Sequence, residues 1–144
     1  MNLKEFISLI DLFFYQVEKQ NPETAFLEWL NPKNKKKFTW GETSSNIYKL
    51  AKTLRANIAD GDRCLLVSEN RPEWLISDIA IMLANGITVP AYTTYTEKDY
   101  KYLIEDCQPS VIIISNDELH DKLKNIINDK TFIRKIITFD KIQN

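Results

Sequence analysis

Glycine is scarce in this chain. It has three among 144 residues, Gly41, Gly61 and Gly86, and no two are near each other. A dinucleotide fold needs a GxGxxG turn after its first strand, and a phosphate-cradling loop needs backbone N–H groups free to close on the ligand. These three positions spell neither. Cysteine and histidine are scarcer still: Cys64, Cys107 and His120, with no CxxC. A zinc site takes about four nitrogen or sulfur ligands, so none is expected. Two distant thiols fit a reducing compartment better than a disulfide framework. A basic excess is also missing. Lys and Arg number 19 against 20 Asp and Glu, and the pI is about 5.9. Nucleic-acid domains carry a strong basic surplus, so nucleic acid is not an expected partner. No window reaches the roughly 18 apolar residues of a membrane span. Lys4, Glu5, Asp11 and Glu18 interrupt the stretch where a secretory signal would be uncharged. The expectation is a soluble, cytoplasmic protein that meets a membrane at most peripherally.

What is present is an ordinary globular composition, 44% hydrophobic and 27% charged. Residues 3–19 place Leu3, Phe6, Ile7, Ile10, Phe13, Phe14 and Val17 at helical spacing. Residues 24–30 read as a strand, 31–34 as a turn and the residues around Phe38 as a second short strand. Thr39-Trp40-Gly41-Glu42 is a capping box. The helix behind it carries Ile47, Leu50, Ala51, Leu54 and Ile58 on one stripe. Asn57 and Asp60-Gly61 end it, as residues tolerant of positive φ.

Four apolar runs follow at 64–67, 87–91, 111–114 and 135–139, each short enough to be a strand buried on both faces. Helices fill the gaps, with Pro72 at a first helical position and Thr96 as a cap. Alternation of this kind predicts an α/β fold. It is a partial doubly wound parallel sheet with flanking helices, preceded by a short N-terminal helix and β-hairpin. The chain reads as one subdomain over 1–144, with helix and hairpin in 1–38 and the βαβ sheet region in 39–144. In the helix after Pro72, residues 79–84 are apolar all round. A surface helix shows a stripe, so something must cover its outer side. The N-terminal helix, a second chain and protein missing from this sequence are the candidates.

One ordered series carries a resemblance. It runs Gly61-Asp62-Arg63, then Ser68-Glu69-Asn70-Arg71-Pro72-Glu73-Trp74, then Asp78, Ala80 and Gly86, then Val89-Pro90-Ala91-Tyr92-Thr93-Thr94. This series resembles the first parallel-sheet segment of long-chain acyl-CoA synthetases, in the adenylate-forming ligase superfamily. The likeness covers about residues 38–116. It implies an enzyme that activates a fatty acid with ATP and magnesium to an acyl-adenylate. The acyl group then passes to the thiol of coenzyme A. In that family the phosphate loop and the catalytic lysine lie downstream of this segment. The chain is therefore expected to be an N-terminal part of such a ligase, inactive alone, with no catalytic residue and no metal ligand assigned to it. The connection over 57–61 is about one residue shorter than usual.

Six residues are candidates for lining a ligand cleft: Asn70, Arg71, Trp74, Tyr92, Thr93 and Thr94. They follow the first two parallel strands, at the end of an open sheet where ligands bind. A helix N-terminus with Arg71 beside it favours anions. The competing reading is structural: Asn70 caps the helix, Arg71 pairs with a surface acid, Trp74 packs, and the threonines are turn residues. If either loop meets ligand, the acyl or CoA side is expected rather than ATP. Lys33, Lys35, Lys36 and Lys37 form a basic tip, read as a solvated turn because four lysines make a small headgroup patch. His120 reads as a surface residue. Partners are expected to be the rest of a ligase chain or a second copy. A non-catalytic dimerising module of the same fold is the alternative. A receiver domain is disfavoured, since only one acid, Glu69, follows the first parallel strand.

Overall fold

The computed structural model describes residues 6–31 and 35–142. The first helix, α1 (Leu9–Lys19), starts later than its periodicity predicts, because the Ser8 side chain accepts the Asp11 N–H and fixes the N-cap there. Residues 3–5 of the expected helix, and Lys33 with most of the expected turn, lie outside the described residues. Strands β1 (Ala25–Trp29) and β2 (Lys36–Thr39) pair antiparallel as a separate two-stranded sheet. Thr39 and Glu42 close the capping box of α2 (Trp40–Arg55) in both directions. That helix does not end on a left-handed Asn57. The Asn57 amide side chain bonds back to the Thr53 carbonyl at 2.7 Å, and the reversal falls to Gly61, at φ 80°. An L side chain would be strained there.

The remaining elements alternate as expected: β3 (Arg63–Val67), α3 (Pro72–Leu83), β4 (Ile87–Ala91), α4 (Glu97–Cys107), β5 (Val111–Ile114), α5 (Asp117–Ile127) and β6 (Lys135–Thr138). The four strands form one parallel sheet in the order β4-β3-β5-β6. Strand side chains alternate between faces, and both faces are covered. Cys64, Leu66, Val111 and Ile113 point into a core built with α1, α2, α3 and the hairpin. Leu65, Val67, Ile112 and Ile114 point into a second core with α4 and α5, around Tyr100, Ile104 and Leu123.

The all-round apolar stretch of α3 is covered from within the chain. The sheet lies under it, α2 packs along it and α1 crosses it, so Ile79, Ala80, Ile81 and Ala84 are buried. Only Met82 and Leu83 stay half-exposed, beside Leu9 and Ile10 in a surface groove. Gly86 lets the next strand begin tightly against this helix, since a Cβ there would lie 3.0 Å from Ile58 Cδ1 and Ile81 Cγ2. From β3 the chain turns one way to β4, then crosses back to β5 on the other side of β3. The carboxyl ends beside β3 are therefore a topological switch point, where open α/β sheets take their ligands.

Candidate functional site

A cleft of about 500 Å³ opens at the carboxyl ends of β3 and β4. Ser68, Glu69, Asn70 and Trp74 form one wall, and Pro90, Ala91, Tyr92 and Thr93 the other. Four of the six expected residues thus share one cleft: Asn70, Trp74, Tyr92 and Thr93. Pro90 lacks a donor and sits on a sheet edge, where that lack costs no ladder bond. Tyr92 is 72% exposed, but its backbone is tied: the buried Tyr100 hydroxyl donates to the Tyr92 carbonyl at 2.7 Å. Burial, and then neighbouring Tyr95, push the Tyr100 phenol up to about 12, so it stays a donor at neutral pH. Tyr95 stands edge-on between Tyr92 and Tyr100. Thr94 is exposed and outside the lining. Thr96 closes a second capping box with Asp99.

The helix start is built differently from either sequence reading. Arg71, not Asn70, is the N-cap of α3, and no side chain caps the helix. Asn70 is exposed on the cleft wall. Arg71 is turned away into a charged cluster, its side chain 1% exposed. Its Nε and Nη2 donate to Glu73 at 2.9 and 3.0 Å, and Nη1 and Nη2 donate to Asp140 at 3.0 and 3.1 Å. Glu69 Oε1 lies 3.6 Å from Nη1. The guanidinium stacks between Trp29, at 4.6 Å, and Phe139, at 5.4 Å. Burial disfavours its charge, but the bonds to Glu73 and Asp140 outweigh that and raise its pKa. Burial pushes Glu73 up, and the Arg71 and Lys36 hydrogen bonds more than reverse this, holding it at about 2. Of its two main partners, Glu73 is largely enclosed at 17% exposure, whereas Asp140 is a surface acid at 45%.

Other expectations sort as follows. Lys36 bonds Glu73 at 2.7 Å and Lys37 lies 3.9 Å from Glu28, so half of the basic tip is engaged within the chain. His120 is half-buried rather than on the surface, and its Nδ1 is enclosed. Among the described residues no cluster of His, Cys, Asp or Glu is placed to hold a metal, and no helix is long and apolar enough to cross a membrane. A more polar depression of about 570 Å³ lies along the hairpin and α2, but Thr39 and Glu42 on its wall are spent on the capping box. Sequence reasoning missed Glu69, Ser68 and Pro90 as cleft walls. Their positions directly after β3 and at the end of β4 were the available signal.

A family model described as AMP-binding enzyme matches residues 13–143. The chain belongs to this AMP-binding family. Long chain acyl-CoA synthetase 3 of Arabidopsis thaliana is 26% identical over 145 aligned positions, which take in 97% of this chain and 22% of that protein. The long-chain-fatty-acid–CoA ligase of Bacillus subtilis (strain 168) is 37% identical over 79 positions, 54% of this chain and 14% of the relative. The chain thus spans about a fifth of these relatives or less, in their N-terminal part. Its fold is that of the anthranilate CoA ligase AuaEII solved with anthranoyl-AMP, with TM-score 0.81 at 18% identity, over 96% of this chain and 26% of that one.

Proposed function

We propose that this chain forms the first part of a long-chain fatty-acid–CoA ligase. In the whole enzyme a fatty acid reacts with ATP and magnesium to give an acyl-adenylate and pyrophosphate, and the acyl group then passes to coenzyme A. The observation that carries this reading is the ordered series from Gly61 to Thr94. It lies on the β3–α3–β4 unit, inside a match to the AMP-binding family that runs over residues 13–143. Two long-chain ligases are similar to the chain, one over 97% of it and one over 54%. This chain's contribution is a frame and one cleft, with Asn70, Trp74, Tyr92 and Thr93 facing the acyl or CoA side. Glu69, the single charged side chain on that cleft, disfavours the triphosphate there. No residue of this chain is assigned to ATP or magnesium. The reading places the enzyme in the cytoplasm, with no more than a peripheral membrane contact.

The test is immunoprecipitation from the source cells with an antibody against this chain, followed by an assay with a labelled long-chain fatty acid. The expected result is ATP- and CoA-dependent thioester and pyrophosphate, from a polypeptide several times heavier than the 16.9 kDa of this chain. Material of 16.9 kDa that makes neither product would overturn the reading in favour of a non-catalytic dimerising module, and crosslinking would then score its self-association. In the active enzyme, Trp74→Ala and Tyr92→Ala are expected to raise the KM for CoA or fatty acid about three- to tenfold, with kcat little changed.

A further inference from the structure

The contacts of Arg71 close a ring. Asp140 takes two of its N–H bonds, and the Asp140 N–H bonds the Ser115 carbonyl at 3.2 Å. The Ser115 hydroxyl donates to Glu69, and Glu69 returns to Arg71 across 3.6 Å. Three carboxyl-end segments, those leaving β3, β5 and β6, are joined in this way. The hairpin joins them through Lys36 on Glu73 and Trp29 on the guanidinium. The ring reaches the cleft through one member directly and through another by a backbone bond. Glu69 is on its wall, and the Trp74 N–H bonds the Arg71 carbonyl at 2.9 Å.

We infer that Arg71 is a strap that couples the segment leaving β6 to the cleft beside β3, so that the seating of Asp140 sets the geometry of Glu69 and Trp74. Asp140 lies on the far side of β5 from that cleft, so no direct contact carries the effect. An arginine is required because its planar fork serves two carboxylates at once, each through two N–H groups, where an ammonium has no such geometry. The two arms differ. Glu73 is 17% exposed and also held by Lys36, whereas Asp140 is 45% exposed, and Arg71 is the one side-chain ion-pair partner described for it. Asp140 is therefore the arm that releases. The inference concerns the frame of the cleft and stands whatever molecule the cleft faces.

Residue-resolved amide exchange on the 144-residue chain tests it, comparing the native sequence with Asp140→Ala and Arg71→Lys. In Asp140→Ala the Phe139 amide, bonded to the Ile114 carbonyl, should exchange about tenfold faster or more. The Trp74 and Ser115 amides should follow by about threefold or more, while Leu65 and Ile112 in mid-sheet keep their protection. Arg71→Lys, which keeps the charge, should give the same pattern. A change confined to residues 139–140, or no change, would sink the coupling. Equal acceleration at Leu65 and Ile112 would also sink it, by reducing the ring to a general contribution to stability. If Arg71→Lys does not fold, Asp140→Ala alone decides, since its side chain is nearly half in solvent.

Discussion

The two ends of β3 solve the same problem with opposite chemistry. Each end ties together β3, β5 and β6. At the amino end the centre is an acid. Asp62 accepts the Ala59 N–H at 2.9 Å, the Ser110 hydroxyl at 2.7 Å and Arg134 at 3.2 Å. At the carboxyl end the centre is a buried base, Arg71, held by Glu73 and Asp140. Asp62 is 23% exposed and its cation Arg134 is 54% exposed, so water can replace what a mutation removes. Arg71 at 1% exposure has no such reserve. The amino end is held by bonds that water can reach, while the carboxyl end is a charge whose cost is offset only when the fold is complete.

The largest expected effect breaks the carboxyl end. Arg71→Met leaves Glu73 with Lys36 and, among the described residues, Asp140 with no ion-pair partner, and should cost about 3–5 kcal/mol of stability by denaturant titration. Acid separates the two ends next. Glu73 falls from an ordinary 4.5 to about 2 in the folded chain, so its contribution is complete above about pH 4.5 and is lost as pH falls through about 2. The loss is on the order of 3 kcal/mol. Asp62 is also lowered, by the Ala59 N–H first and the Ser110 hydroxyl second, and shifts stability in the same direction. Glu73→Gln should flatten the acid limb of the stability profile, and an unchanged limb would refute this account. The smallest effect belongs to the amino end: Asp62→Ala should cost about 1–2 kcal/mol. A cost there equal to that of Arg71→Met would erase the contrast between the ends.

Local features were legible in the sequence. Thr39 with Glu42, Thr96, and Pro72 at the first position of α3 each act within a single turn. The four apolar runs became the four parallel strands; β3 and β5 in the middle are buried on both faces, whereas the edge strands β4 and β6 are only partly covered. Two of the expected cleft residues failed to join the other four for separate reasons. Thr94 sits one residue past the lining, in the turn before α4. Arg71 turned inward because its partner Asp140 lies 69 residues away, which no local pattern encodes. The outer cover of α3 was ambiguous for a similar reason. An apolar surface declares that it must be buried, but not by which element.

The sequence by itself determined which segments become helix and strand and which of their faces must leave water, because capping, proline placement and the period of apolar residues act over a few residues. Only the tertiary structure decided the strand order β4-β3-β5-β6, the meeting of the loops after β3 and β4 in one cleft, and the burial of Arg71 between two carboxylates. Those outcomes depend on contacts between residues far apart in the chain. Their energy appears only once the loops between them have been closed.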